Sequence, residues 1–203
     1  MQPEVMAFMG VCLFMACRAL YLTFHGIPSK KIILREGDIV SLDVVANLKG
    51  YCADATRTFL VGTCHESVRK ILDVCQKAFY EGVKAAKPGN HVGDISSNIQ
   101  KYVESHGYNV ARDFTGHGIG KGMHEDPSVP NFGIAGTGPL LRPGMALAIE
   151  PMILEGKKET RILGDGWTVK SKDGKLTCHY ENTIIITEEG NEIITLTEGE
   201  KNN

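Results

Sequence analysis

No CxxC pair and no zinc-finger spacing occurs among the six cysteines (Cys12, Cys17, Cys52, Cys64, Cys75, Cys178). That excludes the usual thiolate zinc sites and argues against a disulfide framework, which places the chain in a reducing, cytoplasmic compartment. Clusters of Lys and Arg are also missing, and the net charge is −2, so the electrostatic footprint of a nucleic-acid binder is lacking. Neither a linker nor a low-complexity tract interrupts the 203 residues, a length suited to one domain spanning 1–203. What remains is ordinary globular usage, with 42% hydrophobic and 23% charged residues.

One stretch is long and apolar. Between Val5 and Phe24 the only charge is Arg18, and Val5–Cys17 is apolar throughout, the length of a membrane span or a long signal sequence. Met1–Glu4 carries no Lys or Arg, which speaks against a signal sequence, and Arg18 inside the segment speaks against a span. The expectation is therefore a chain without a membrane role, atypical over residues 1–24.

From Ile32 onward the pattern alternates between sheet and helix. Asp38–Val45 and Tyr51–Val61 read as strands joined through Asn47-Leu48-Lys49-Gly50. His65–Ala86 has apolar residues at helical spacing and meets Pro88-Gly89, and Asp94–His106 repeats the pattern up to Gly107. Short strands and Gly/Pro-rich loops follow: Met145–Ile149, Trp167–Lys170, His179–Thr187 and Ile193–Leu196. The class is α+β.

The most informative feature is acid inside apolar strands. A turn centred between Leu48 and Lys49 sets Asp43 directly opposite Asp54, where like charges repel among Val40, Leu42, Val44 and Val45. Either the two carboxylates share a proton or a cation, or the register is shifted and both face water. Glu150 and Glu181 repeat the anomaly in Ala146–Ile153 and His179–Ile186. A buried acid without a partner costs several kcal/mol, so such groups end up protonated, paired or bound to metal. A lone histidine is more often a core or loop residue than a ligand. His117, however, sits in Thr115-Gly116-His117-Gly118-Ile119-Gly120, where glycines let backbone and ligand approach closely. Carboxylate and imidazole without thiolate suit Mn, Fe(II), Co or Zn. Four acids and one histidine exceed the needs of a single catalytic zinc and fit two bridged ions that activate water and polarise a carbonyl.

These motifs resemble type I methionine aminopeptidases, peptidases of the pita-bread metallopeptidase fold. The matching stretches are His25-Gly26-Ile27-Pro28, Glu36-Gly37-Asp38-Ile39-Val40, Ala53–Phe59, the block Gly116–Glu125, Pro143-Gly144-Met145 through Glu150-Pro151, Asp165-Gly166-Trp167-Thr168, and Tyr180-Glu181-Asn182-Thr183. They run in the family's order from Phe24 to Leu196, which makes residues 25–197 the catalytic core. The resemblance implies metal ligands at Asp43, Asp54, His117, Glu150 and Glu181, with Asp54 and Glu181 bridging two divalent ions. It implies Glu150 as proton acceptor and His124 and His25 as histidines that contact substrate and steady the tetrahedral oxyanion. Support of the ligands is the alternative role for both histidines. Met123 and Trp167 match positions near the pocket for the methionine side chain, with plain core packing the alternative for Trp167. The implied activity is removal of the initiator methionine from nascent polypeptides, by a monomer, with ribosome association open.

The sequence departs from that family at its start. The pita-bread fold has two pseudo-symmetric halves, each with two helices and antiparallel sheet, and only the second half has its helices here. Residues 12–24 also fail to match, and the match resumes abruptly at His25. A compensated frameshift across 12–24, downstream of a truncated or internal start, is the expectation, to be read from the nucleotide sequence. The rivals are an inactive or degraded copy, a proline-directed peptidase on the same fold, and a non-catalytic binding protein, which would normally have lost ligands.

Overall fold

The computed structural model describes residues 12–14, 23–26 and 33–201, with 12–14 and 23–25 as backbone only. Of the expected frameshift segment 12–24, residues 15–22 lie outside these residues, as does the His25 side chain. β1 (Cys12–Phe14) pairs antiparallel with β3 (Ile39–Leu48), which pairs with β4 (Tyr51–Leu60). β2 (Thr23–His25) pairs with β11 (Val169–Ser171), which continues to β10 (Thr160–Ile162).

The β3–β4 hairpin corrects the expected register. Asp43 faces Thr56 and Asp54 faces Val45, two positions away from the expected Asp43–Asp54 pairing. The corner is the two-residue turn Lys49-Gly50, with φ of 52° and 85°. Positive φ at both positions matches the right-handed twist of the flanking strands. Because side chains alternate with a period of two, a two-residue slip keeps each side chain on its face. Both aspartates therefore share one face of the hairpin, as diagonal neighbours.

α1 (Glu66–Ala85) is capped by His65, whose side chain accepts from the Ser67 amide. α2 (Val92–Ser105) begins before the expected Asp94, because Asp94 works from the third helical position, its carboxylate accepting the His91 amide at 2.7 Å. The two helices pack on each other and on the sheet through Ile71, Cys75, Phe79, Ile95 and Ile99, which meet Leu147, Ile149 and Ile184. Burial of such side chains drives that layer at roughly 2 kcal/mol each.

The central sheet contains, in spatial order, β14 (Asn191–Ile193), β13 (Asn182–Ile186), β8 (Ala146–Ile149), β6 (Thr115–Gly118) and β7 (Glu125–Pro130). A smaller sheet joins β12 (Thr177–His179), β9 (Met152–Leu154) and β5 (Asn109–Val110). The single strand expected over His179–Thr187 is thus divided, with β12 in one sheet and β13 in the other. The chain makes the same switch from β8 to β9 across Glu150-Pro151, where proline supplies no amide for the ladder.

Candidate metal centre

Strand parity alone brings the acids together. His117 faces Ala148 across the β6–β8 pair, and Glu150 is two residues beyond Ala148 on the same face. Asn182 pairs with Ile149 and His179 with Met152, so Glu181 stands at the position facing Glu150. Glu181 in turn exchanges backbone hydrogen bonds with Thr56, at 3.0 and 3.3 Å. Thr56 faces Asp43 and lies two residues from Asp54. One curved sheet face therefore carries all four acids and the imidazole.

The walls of the resulting cleft, about 200 Å³, include Asp43, Asp54, His117, Glu150 and Glu181, with Phe114, Thr115 and His124 beside them. Asp54, His117, Glu150 and Glu181 are all buried. Among the described residues no Lys or Arg lines these walls. His117 Nδ1 lies 2.8 Å from the Gly118 carbonyl, which can only accept, so Nδ1 carries the proton. That leaves Nε2 as a lone pair, 3.9 Å from Asp54 Oδ2 and 3.8 Å from Glu150 Oε1. Flanking glycines permit the placement. A Cβ on Gly116 would run into the Ala148 carbonyl, and one on Gly118 into the Asp126 carbonyl.

Electrostatics mark the cost of the gathering. Burial first, then the charges of Asp43 and Glu150, push the Asp54 carboxyl up to about 8. Burial, then Glu150, Asp54 and Asp43, raises Glu181 well above the ordinary glutamate range. Burial and the neighbouring His117 lower the His124 imidazole. For His179 burial is the largest influence and opposes protonation, but the hydrogen bond and charge of Glu150, aided by Asp43 and Asp54, outweigh it and raise the pKa.

A metal fits this donor set. Asp43 Oδ1, Asp54 Oδ1 and Glu181 Oε1 are buried oxygens without a hydrogen-bond partner. Among the described residues two groups could hold an ion, Asp54/His117/Glu181 and Glu150/His179/Glu181, each with ligand atoms within 4.8 Å of one another. Glu181 belongs to both. Asp43 belongs to neither group but lines the same cleft.

The other candidate residues fall at different distances from this centre. The His124 ring stands 4.3 Å from that of His117, edge to face, at the exposed mouth. Met123 is half-buried and Trp167 is 51% exposed on the Asp165 turn, so Trp167 is not a core residue, and neither belongs to the cleft's walls. The His25 backbone pairs with Val169, and its side chain is outside the described residues. Phe114, Thr115 and His179 were missed. His179 is two residues before Glu181 on the same strand path, and that spacing was the available signal.

Comparison with known proteins gives the same picture. A methionine aminopeptidase of Clostridium acetobutylicum is 53% identical over 174 residues, covering 86% of this chain and 70% of that protein's length. The structure of a methionine aminopeptidase from Rickettsia prowazekii superposes with a TM-score of 0.86 at 40% identity, covering 92% of this chain and 73% of that one. The prolidase from Pyrococcus horikoshii superposes at 0.73 with 29% identity, covering 92% and 48%. Among the described residues no helix is long and apolar enough to cross a membrane. With metallopeptidase family M24 matching residues 5–188 and the pita-bread fold shared with these relatives, the chain belongs to that family.

Proposed function

We propose that this chain removes the N-terminal methionine from nascent proteins, hydrolysing the first peptide bond with two divalent ions held by Asp43, Asp54, His117, Glu150 and Glu181. The observation that carries the reading is the convergence of four carboxylates and one correctly protonated imidazole on a single sheet face, with no Lys or Arg among the described residues of the cleft wall. Its support from relatives is the name methionine aminopeptidase on a protein 53% identical to it.

Ions bound there, whether Co, Mn, Fe or Zn, supply an activated water and a Lewis acid for the scissile carbonyl. The chain supplies the rest. Asp54 and Glu181 would both hold the ions, and Glu150 would accept the proton released as the peptide bond is attacked. His124 stands at the mouth with a lowered pKa, so its neutral ring donates a hydrogen bond to the substrate carbonyl at neutral pH. His25, Met123 and Trp167 complete the substrate side, within a catalytic unit over residues 25–197 of a cytoplasmic monomer.

Turnover of Met-Ala-Ser against an Ala-Pro peptide, with Co²⁺ or Mn²⁺ titrated into metal-free protein, tests the proposal. Cleavage of the methionyl peptide alone is expected. Preference for the prolyl peptide would favour the prolidase-like reading, which rests on the superposition with that enzyme. Ion binding without any turnover would leave a binding protein.

A further inference from the structure

His179 is the one imidazole at the centre for which the five-ligand reading has no task. It is 2% exposed and places Nε2 at 3.4 Å from Glu150 Oε2 and 3.8 Å from Glu181 Oε2. Distance alone would let it ligate an ion together with the two glutamates. Its position argues otherwise. The ring does not contribute to the wall of the metal cleft. It is buried instead against the two glutamates. Glu150 therefore lies between two imidazoles, with Oε1 toward His117 in the cleft wall and Oε2 toward the buried His179, which is not part of that wall.

We propose that His179 is a positioning residue whose ring N–H holds Glu150 Oε2 from the buried side, so that Oε1 is fixed beside His117 for its ion. A carboxylate that must both ligate and take up a proton needs one oxygen tethered and the other presented at a constant angle. Outer hydrogen bonds of this kind fix a ligand's orientation and raise its affinity for metal by 10–100-fold. Strand geometry explains the placement: His179 shares a face with Glu181, and Glu181 faces Glu150 across the ladder. Tyr180 between them points to the opposite side, where Arg57 stacks on its ring at 4.4 Å.

This inference rests on the two-ion reading, and the experiment separates the two. Co²⁺ binding is followed by calorimetry and by the visible spectrum in wild type, His179→Gln and His179→Leu. Glutamine can still donate to a carboxylate and leucine cannot. The expected result is a 10–100-fold loss of affinity for one ion in the leucine variant, with near-wild-type binding in the glutamine variant. In the leucine variant kcat should fall while KM stays close to wild type. Wild-type affinities in the leucine variant would overturn the inference and leave the two-ion reading standing. Wild-type protein that binds no divalent ion would overturn both.

A readout independent of folding of the variants comes from ¹⁵N-histidine spectra of zinc-loaded wild type. A protonated Nε2 on His179 is expected. A metal-bound Nε2 would make His179 a direct ligand and overturn the positioning role.

Discussion

Glu150 and Glu181 occupy facing positions of one antiparallel ladder at the only point where that ladder passes from one sheet to another. On one side Ile149 pairs with Asn182, and on the other Met152 pairs with His179. Both strands bend here because Pro151 lacks an amide and because Glu181 turns its backbone toward Thr56. Like charges at facing positions destabilise a sheet, and burial removes the water that would screen them. Divalent cations should therefore act as a clamp on the fold itself. With free Mn²⁺ or Co²⁺ at about 100 times its dissociation constant, linkage gives roughly 2.7 kcal/mol, and at roughly 2–4 °C per kcal/mol for a domain of this size the melting midpoint should rise by about 5–10 °C. Differential scanning fluorimetry with and without EDTA checks this, and an unchanged midpoint would count against the clamp.

Asp54→Asn should separate the cost of the charges from the benefit of the ions. The Asp54 carboxyl is raised from the ordinary 3.8 to about 8 by burial, Asp43 and Glu150. Between those values the folded protein holds a proton that the unfolded chain has released. The Asp54 contribution to metal-free stability is then greatest below about 3.8 and is lost as pH rises through about 8. Wild-type protein stripped of metal should accordingly melt lower at pH 8 than at pH 5, and the asparagine variant should show a shallower slope. In calorimetry the same variant should lose two-ion stoichiometry, and retained stoichiometry would refute the bridging role. Wild-type binding at neutral pH should also release protons, seen as a dependence of the apparent enthalpy on the buffer's ionisation enthalpy.

The glycines beside His117 make a third, purely steric prediction. An alanine at 116 or 118 would press against the backbone carbonyls of Ala148 or Asp126, neither of which can rotate away. The β6 strand must then move off β8 or β7, costing about 1–3 kcal/mol. The movement displaces the His117 ring from Asp54 and Glu150. Gly118→Ala should reduce both thermal stability and ion affinity, whereas Gly136→Ala, at a loop position with no atoms near its missing Cβ, should leave ion affinity unchanged.

What could be read in the sequence was set by periodicity. The two helices and the common face of Asp43 and Asp54 follow from spacings of 3.6 and 2, and they survive an error of two residues in hairpin register because parity is conserved. The divided strand at Glu181 was not legible. No glycine or proline marks the break in Thr177–Thr183, and the switch is imposed by tertiary pairing with Thr56. His179 went unassigned for a related reason: within a continuous strand it reads as one more inward residue, and its contact with Glu150 depends on the β9–β12 pairing.

Glu200 supplies the last prediction. Arg57 donates to Glu200 Oε1 at 2.7 Å and Oε2 at 2.9 Å, and also to the Glu181 carbonyl at 2.6 Å. Tyr180 and Thr197 donate to the same carboxylate. Burial raises the Glu200 pKa, but these bonds from Arg57, Thr197 and Tyr180 outweigh it and hold the group at about 2. A depressed carboxylate contributes stability that is complete above its unfolded value of 4.5 and is lost as pH falls through about 2. Glu200→Gln should therefore lower stability at neutral pH by about 1.5–3 kcal/mol, the scale of hydrogen bonds to a charged group. It should also flatten the acid limb of the stability curve between pH 4.5 and about 2. Because Arg57 joins this turn to the strand path carrying Glu181, the loosened guanidinium should weaken ion binding slightly, by less than His179→Leu does. Denaturant midpoints measured across that pH window, with the variant's acid limb as steep as wild type's, would show that Glu200 bears none of the acid sensitivity.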